Sequence, residues 1–138
     1  MSGSIATRPE VLEFLGAPWK RGGRDLVGGI DCLGLVLTVL ARLNIPSADP
    51  WVVLHAAWLD GTLDVATGFP TGWRRLTSYR QVGLDGDVLI LTGHEPRKPH
   101  VAVVLRGYVL HINDEQRSFA LAWGPKHPRP DQAWRYAP

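Results

Sequence analysis

Three residues of this sequence belong to types that together perform nucleophilic hydrolysis: Cys32, the only cysteine, and two later histidines, His100 and His111. The thiolate is the reactive form, and an ordinary thiol at neutral pH needs a lowered pKa or an adjacent base to supply it. Cys32 follows Asp31 and opens an apolar run reaching Leu43. In it Leu33, Val36, Leu37 and Leu40 recur at i, i+3, i+4 and i+7, as do Val36, Val39, Leu40 and Leu43. This spacing predicts a central helix, buried around most of its circumference. A cysteine at its start meets unpaired N–H groups and the positive end of the helix dipole, both of which favour an anion. Asp31 suits the N-cap, and because its charge opposes a thiolate its roles are capping or binding a substrate amine. Local context alone leaves a packed structural cysteine as an equal alternative.

The histidines supply the independent argument. His100 to Leu105 and Tyr108 to Ile112 are β-rich runs separated by Arg106-Gly107, a two-residue hairpin turn. With that turn Leu105 pairs with Tyr108, Ala102 faces His111, and Asn113 faces His100. Alternation then sets His100, Ala102, Val104, Val109, His111 and Asn113 on one side of the sheet. His100 and His111 become diagonal neighbours at roughly 7–8 Å, with the small Ala102 between them. Two histidines on an apolar face are costly to bury unpartnered, and a base held by a second polar group is what a cysteine nucleophile needs. Asn113 rivals His111 as that second group. A Cys-His-His metal site lacks a fourth ligand and the usual short spacings, so no metal is expected. His55 lies in a less legible region, and His94 and His127 lie in polar, proline-flanked loops where exposure is the default.

The elements that must position these residues follow in order. Residues 7–15 read as an amphipathic helix opened by a Thr7–Glu10 capping box and ended by Gly16 and Pro18. Lys20 to Gly29, with two glycine pairs, reads as a loop. The central helix ends at Asn44, before Ile45-Pro46. Between residues 50 and 80 only a helix over Trp51–Leu59 and a loop over Gly68–Gly72 suggest themselves. After the turn Asp85-Gly86-Asp87, Val88–Leu91 begins a series of strands that continues through the hairpin to Ser118–Trp123 and Trp134–Tyr136. A proline-rich loop from Pro125 to Pro130 joins the last two. The order predicts one α+β domain over residues 1–138, helices first and then an antiparallel meander.

Composition bounds the rest. The 138 residues are 45% hydrophobic with a net charge of +2, enough for a core without staples. One cysteine excludes an internal disulfide framework. Scattered basic residues without a stripe argue against nucleic acid, and no apolar run nears the ~18–20 residues of a membrane span. Arg8, Pro9 and Glu10 interrupt any signal-peptide pattern at the N-terminus, so no signal peptide is expected.

Gly16-x-Pro18-Trp19-x-x-Gly22-Gly23, then Gly29-Ile30-Asp31-Cys32-Leu33-Gly34-Leu35-Val36, resembles the first half of the NlpC/p60 cysteine peptidases. Gly86-Asp87-Val88, His100-Val101-Ala102-Val103 and the later His111 resemble its second half, so the match spans roughly residues 10–113. The resemblance implies a papain-like fold with the cysteine helix packed on an antiparallel sheet. It also implies hydrolysis of peptidoglycan stem peptides, often at the bond following D-glutamate, without metal or organic cofactor. Cys32 would be the nucleophile, His100 the base and then acid, and His111 the group orienting it. Asp31, Trp19 and Leu33 would face substrate, with Asp31 at its free amine. Trp19 stands where many members have tyrosine and Leu33 where they have serine.

Asp-Cys-Leu-Gly-Leu and the short closing segment Trp134–Pro138 most resemble the phage tail-assembly and gene-transfer-agent peptidases. That likeness implies a tail-tip protein of the virion, made in the host cytoplasm, with other tail-tip proteins as partners. An inactive structural tail protein and a secreted antibacterial amidase are the alternatives.

Overall fold

The computed structural model describes residues 8–46, 72–91 and 100–138. Thr7, the suggested helix over Trp51–Leu59, most of the Gly68–Gly72 loop, His55 and His94 lie outside these residues.

The first helix, α1, is shorter than expected, Pro9–Leu12, with Pro9 at its first position and no side-chain cap from Arg8. Beyond it the chain tightens to i→i+3 bonds, Phe14 N–H to Val11 O and Leu15 N–H to Leu12 O. Gly16 then takes φ +79°. The turn lies along an edge of the main sheet, where Gly16 N–H donates to Ser118 O and Ser118 N–H donates to Ala17 O. Ser118 Oγ accepts from Ala17 N–H at 2.8 Å and donates to Phe14 O at 2.6 Å. The Gly16-x-Pro18 segment thus covers backbone groups an edge strand would otherwise expose.

The expected loop after Lys20 contains a small antiparallel pair, β1 (Arg24–Asp25) and β2 (Gly29–Ile30). Strands of two residues carry no periodic signal, which is why the sequence reads there as loop. The central helix, α2, spans Cys32–Arg42 as expected. It ends in a Schellman motif: Asn44 is left-handed at φ 58°, its N–H donates to Ala41 O, and Ile45 N–H donates to Leu40 O.

Among the described residues six strands form the main sheet: β3 (Trp73–Arg75), β4 (Val88–Leu91), β5 (His100–Leu105), β6 (Tyr108–Asn113), β7 (Gln116–Ala122) and β8 (Gln132–Tyr136). Their spatial order is β3-β8-β4-β5-β6-β7. Only β4 to β7 make the expected meander. Strand β8 returns across the sheet to pair with β4, Leu89 opposite Ala133, and β3 adds outside it.

Each face of the sheet has its own core. One packs Val88, Ile90, Val101, Val103, Leu110 and Ile112 against Leu33, Val36, Val39 and Leu40 of α2 and Phe14 after α1. Burying each such side chain contributes about 1.5–3 kcal/mol. On the opposite face Leu89, Ala102, Val104, Val109 and Ala133 are covered by Leu76 and Val82. The return of β8 is locked by a buried ion pair. Asp87 is 0% exposed and binds Arg135 through both carboxylate oxygens, at 2.7 and 2.8 Å. The N–H groups of Gly83 and Leu84 also donate to Asp87. The Gly86-Asp87 motif is therefore a structural clasp between β4 and the final strand.

Candidate active site

Asp31 shapes the start of α2. In extended conformation, φ −101° and ψ −177°, it caps the helix, its Oδ1 accepting from Gly34 N–H at 2.7 Å. The same oxygen binds Arg24 Nη1 at 2.7 Å, and Oδ2 accepts from Gly22 N–H at 3.1 Å. Of the two roles expected of Asp31, these contacts show capping, with the buried carboxylate ion-paired to Arg24. Gly34 is required by close approach: a Cβ there would meet the Gly23 carbonyl oxygen and lie 2.7 Å from Ile30 Cγ1. Helix start, glycine loop and β2 are thus packed into one piece with Cys32 at the first helical position.

The Cys32 thiol is hydrogen-bonded by the backbone of Val101, the residue after His100, and by the backbone of Leu33 and of Cys32 itself. The start of α2 and the start of β5 therefore meet at the sulphur. Burial pushes this thiol up to about 11, with the Asp31 charge adding to it, while the backbone hydrogen bonds pull the other way. The helix start was expected to favour the thiolate. Desolvation outweighs it, and the resting group is a neutral thiol.

The β5–β6 turn holds Arg106 at φ 51° and Gly107 at φ 83°, a two-residue turn with both positions left-handed. Leu105 pairs with Tyr108, Val104 with Val109 and Val103 with Leu110, the expected register. It brings His100 Nε2 to 2.9 Å from His111 Nδ1, with the two rings 8° from parallel. Asn113 does not share this arrangement. A register shift falls between His111 and Asn113, and Asn113 turns to Gln116 Oε1 and Glu115 N–H, each at 2.9 Å. The extra residue lies in β7, where Arg117 and Ser118 stand opposite Ile112, and these contacts of Asn113, rather than a break in β6, leave His111 as the group bonded to His100.

A third histidine joins the pair. His127 was expected to be exposed, yet it is only 8% exposed, and its Nε2 lies 2.9 Å from His111 Nε2. Its Nδ1 lies 2.7 Å from the Pro128 carbonyl oxygen. Trp123 packs against its ring at 5.2 Å, and Phe119 stacks on His111 at 5.4 Å. Nothing in the local sequence marks His127, because the loop's return to β6 is a tertiary event. Burial lowers all three imidazoles, His100 to about 4 and His111 to about 3, with the other two rings' charges adding for His111. All three are neutral at pH 7. With both nitrogens of His111 bonded to neighbouring rings, the histidine cluster offers no free lone pair there to a metal.

Leu33 corrects an expectation. Its side chain is 0% exposed in the core between α2 and the sheet and does not face a substrate. Trp19 is 39% exposed and bridges to Ile30, two residues before Cys32, so it remains available at the surface.

No protein-family model matches the sequence, and no curated protein matches it. Among solved structures, the crystal structure of the NlpC/p60 domain of the peptidoglycan hydrolase SagA aligns with a TM-score of 0.54 at 21% identity. The alignment covers 94% of this chain and 95% of that one. The likeness extends over nearly the full length of both chains: the chain has the α+β fold of an NlpC/p60 domain.

Proposed function

We propose that this protein is a cysteine peptidase acting on peptidoglycan stem peptides, with Cys32 as nucleophile, His100 as base and His111 as its orienting partner. The observation carrying this reading is the 2.9 Å His100–His111 contact at the start of β5, beside the Val101 backbone that hydrogen-bonds the thiol. Because thiol and imidazole are both neutral at rest, His100 removes the proton as the sulphur attacks the carbonyl carbon. The C–N bond then breaks, His100 returns its proton to the leaving amine, and an S–acyl intermediate remains. Water, deprotonated by the same base, hydrolyses it.

The choice of peptidoglycan rests on the fold shared with the hydrolase domain and on the sequence motifs. A tail-tip location, with other tail proteins as partners, rests on Asp-Cys-Leu-Gly-Leu and the closing segment alone. Purified protein incubated with stem-peptide fragments tests the chemistry, and co-purification with tail particles tests the location.

A second reading, a catalytically silent structural protein of the same fold, is favoured by one observation, the thiol pushed up to about 11. Alkylation of Cys32 separates the two. A base-assisted thiol reacts at neutral pH and slows when His100 is replaced, whereas a silent one is indifferent to that replacement.

A further inference from the structure

The Pro128 carbonyl oxygen can only accept a hydrogen bond, so the His127 Nδ1 atom 2.7 Å away must carry a proton. A neutral imidazole has a single N–H, which leaves His127 Nε2 as an acceptor. The 2.9 Å contact between the two Nε2 atoms then requires His111 to donate from Nε2. His111 Nδ1 becomes an acceptor in turn, and the 2.9 Å contact to His100 must be donated by His100 Nε2. At the end of this series His100 Nδ1 is bare.

We propose that His127 is a positioning residue of the reaction, fixing the tautomers of His111 and His100 from its anchor on Pro128 so that His100 presents an unprotonated Nδ1. The inference rests on the reading of Cys32 and His100 as nucleophile and base. Without the anchor each ring can hold its proton on either nitrogen, and half of those arrangements leave the base protonated on the wrong side. Burial and stacking support the arrangement: Trp123 fixes the His127 ring from one side, and its own indole N–H is held by Val82 O at 3.1 Å.

The test is two-bond ¹⁵N–¹H NMR of the imidazole rings in the resting full chain at pH 7, before and after substitution of His127. The wild-type spectra should show N–H at Nδ1 of His127 and at Nε2 of His111 and His100. In His127→Leu the His111 and His100 protons should redistribute between nitrogens. The kcat should fall on the order of tenfold, a fraction of the loss seen when a triad partner imposes the wrong tautomer, with KM little changed. His127→Gln, whose side-chain oxygen can accept from His111, should restore both. A wild-type His100 protonated on Nδ1 would overturn the proposal, as would unchanged tautomers in folded His127→Leu. The spectra need no substrate. Locked tautomers in a protein that cleaves nothing would uphold the relay while rejecting the peptidase reading.

Discussion

His100 and His111 meet through ring nitrogens 2.9 Å apart although they stand eleven positions apart in the chain. Their contact depends on a two-residue turn at Arg106-Gly107, because a single inserted residue would flip one histidine to the α2 face of the sheet. The apolar walls around them matter as much as the register. They hold both rings neutral in a pH range where a solvent-exposed imidazole would be charged.

In the proposed reaction that neutrality sets the pH range of activity. His100 must be unprotonated to accept the thiol proton, and its pKa is lowered to about 4 by burial. The acid limb of kcat/KM should therefore fall near pH 4, below the ordinary histidine value of 6.5. His100→Ala should reduce kcat/KM by roughly 100- to 10,000-fold. A limb at 6.5 would indicate an exposed base.

Stability should follow the same titrations. The unfolded chain takes up histidine protons near 6.5, while His100 and His111 in the native chain resist until about 4 and about 3. The unfolded state thus binds more protons in this window, so stability is full above 6.5 and is lost as pH falls through it. Urea denaturation should show a loss on the order of 6 kcal/mol between pH 7 and 4, about half from each ring. His111→Phe should flatten that slope.

How far the sequence led can be judged from these residues. Helix α2, its Asp31 cap and the β5–β6 register were legible because periodicity, capping and turn chemistry are local. The return of β8 to β4 was not, since pairing between Leu89 and Ala133 has no local pattern. His127 was missed for the same reason. The hairpin register alone does not show that the Asn113 amide is engaged by Gln116 and Glu115 beside the β6–β7 turn. Leu33 was given to substrate by likeness to a serine position, although its own apolar spacing already placed it on a buried helix face.

The Asp87–Arg135 clasp should behave as a buried pair whose partners depend on each other. Asp87→Ala leaves Arg135 unpaired beside β4 and should cost about 3–5 kcal/mol in denaturant unfolding. The double substitution with Arg135→Met should recover part of that loss. An Asp87→Ala protein as stable as wild type would mean the clasp is not formed.

The close contact at Gly34 makes a separate prediction about the nucleophile's support. Gly34→Ala places a methyl group against the Gly23 carbonyl and Ile30, and should lower both the melting temperature and the hydrolysis rate. Asp31→Ala, which removes the cap and the Arg24 partner, should cost about 1–2 kcal/mol. Circular dichroism melts of the two variants against wild type would register both effects.

Mass spectrometry of stem-peptide fragments released from purified peptidoglycan by wild type and by Cys32→Ala bears most directly on Cys32 as the nucleophile. Wild type should release peptide fragments and, when quenched early, carry one acyl adduct on Cys32. Folded Cys32→Ala should release none. Equal release by the two proteins would contradict the assignment.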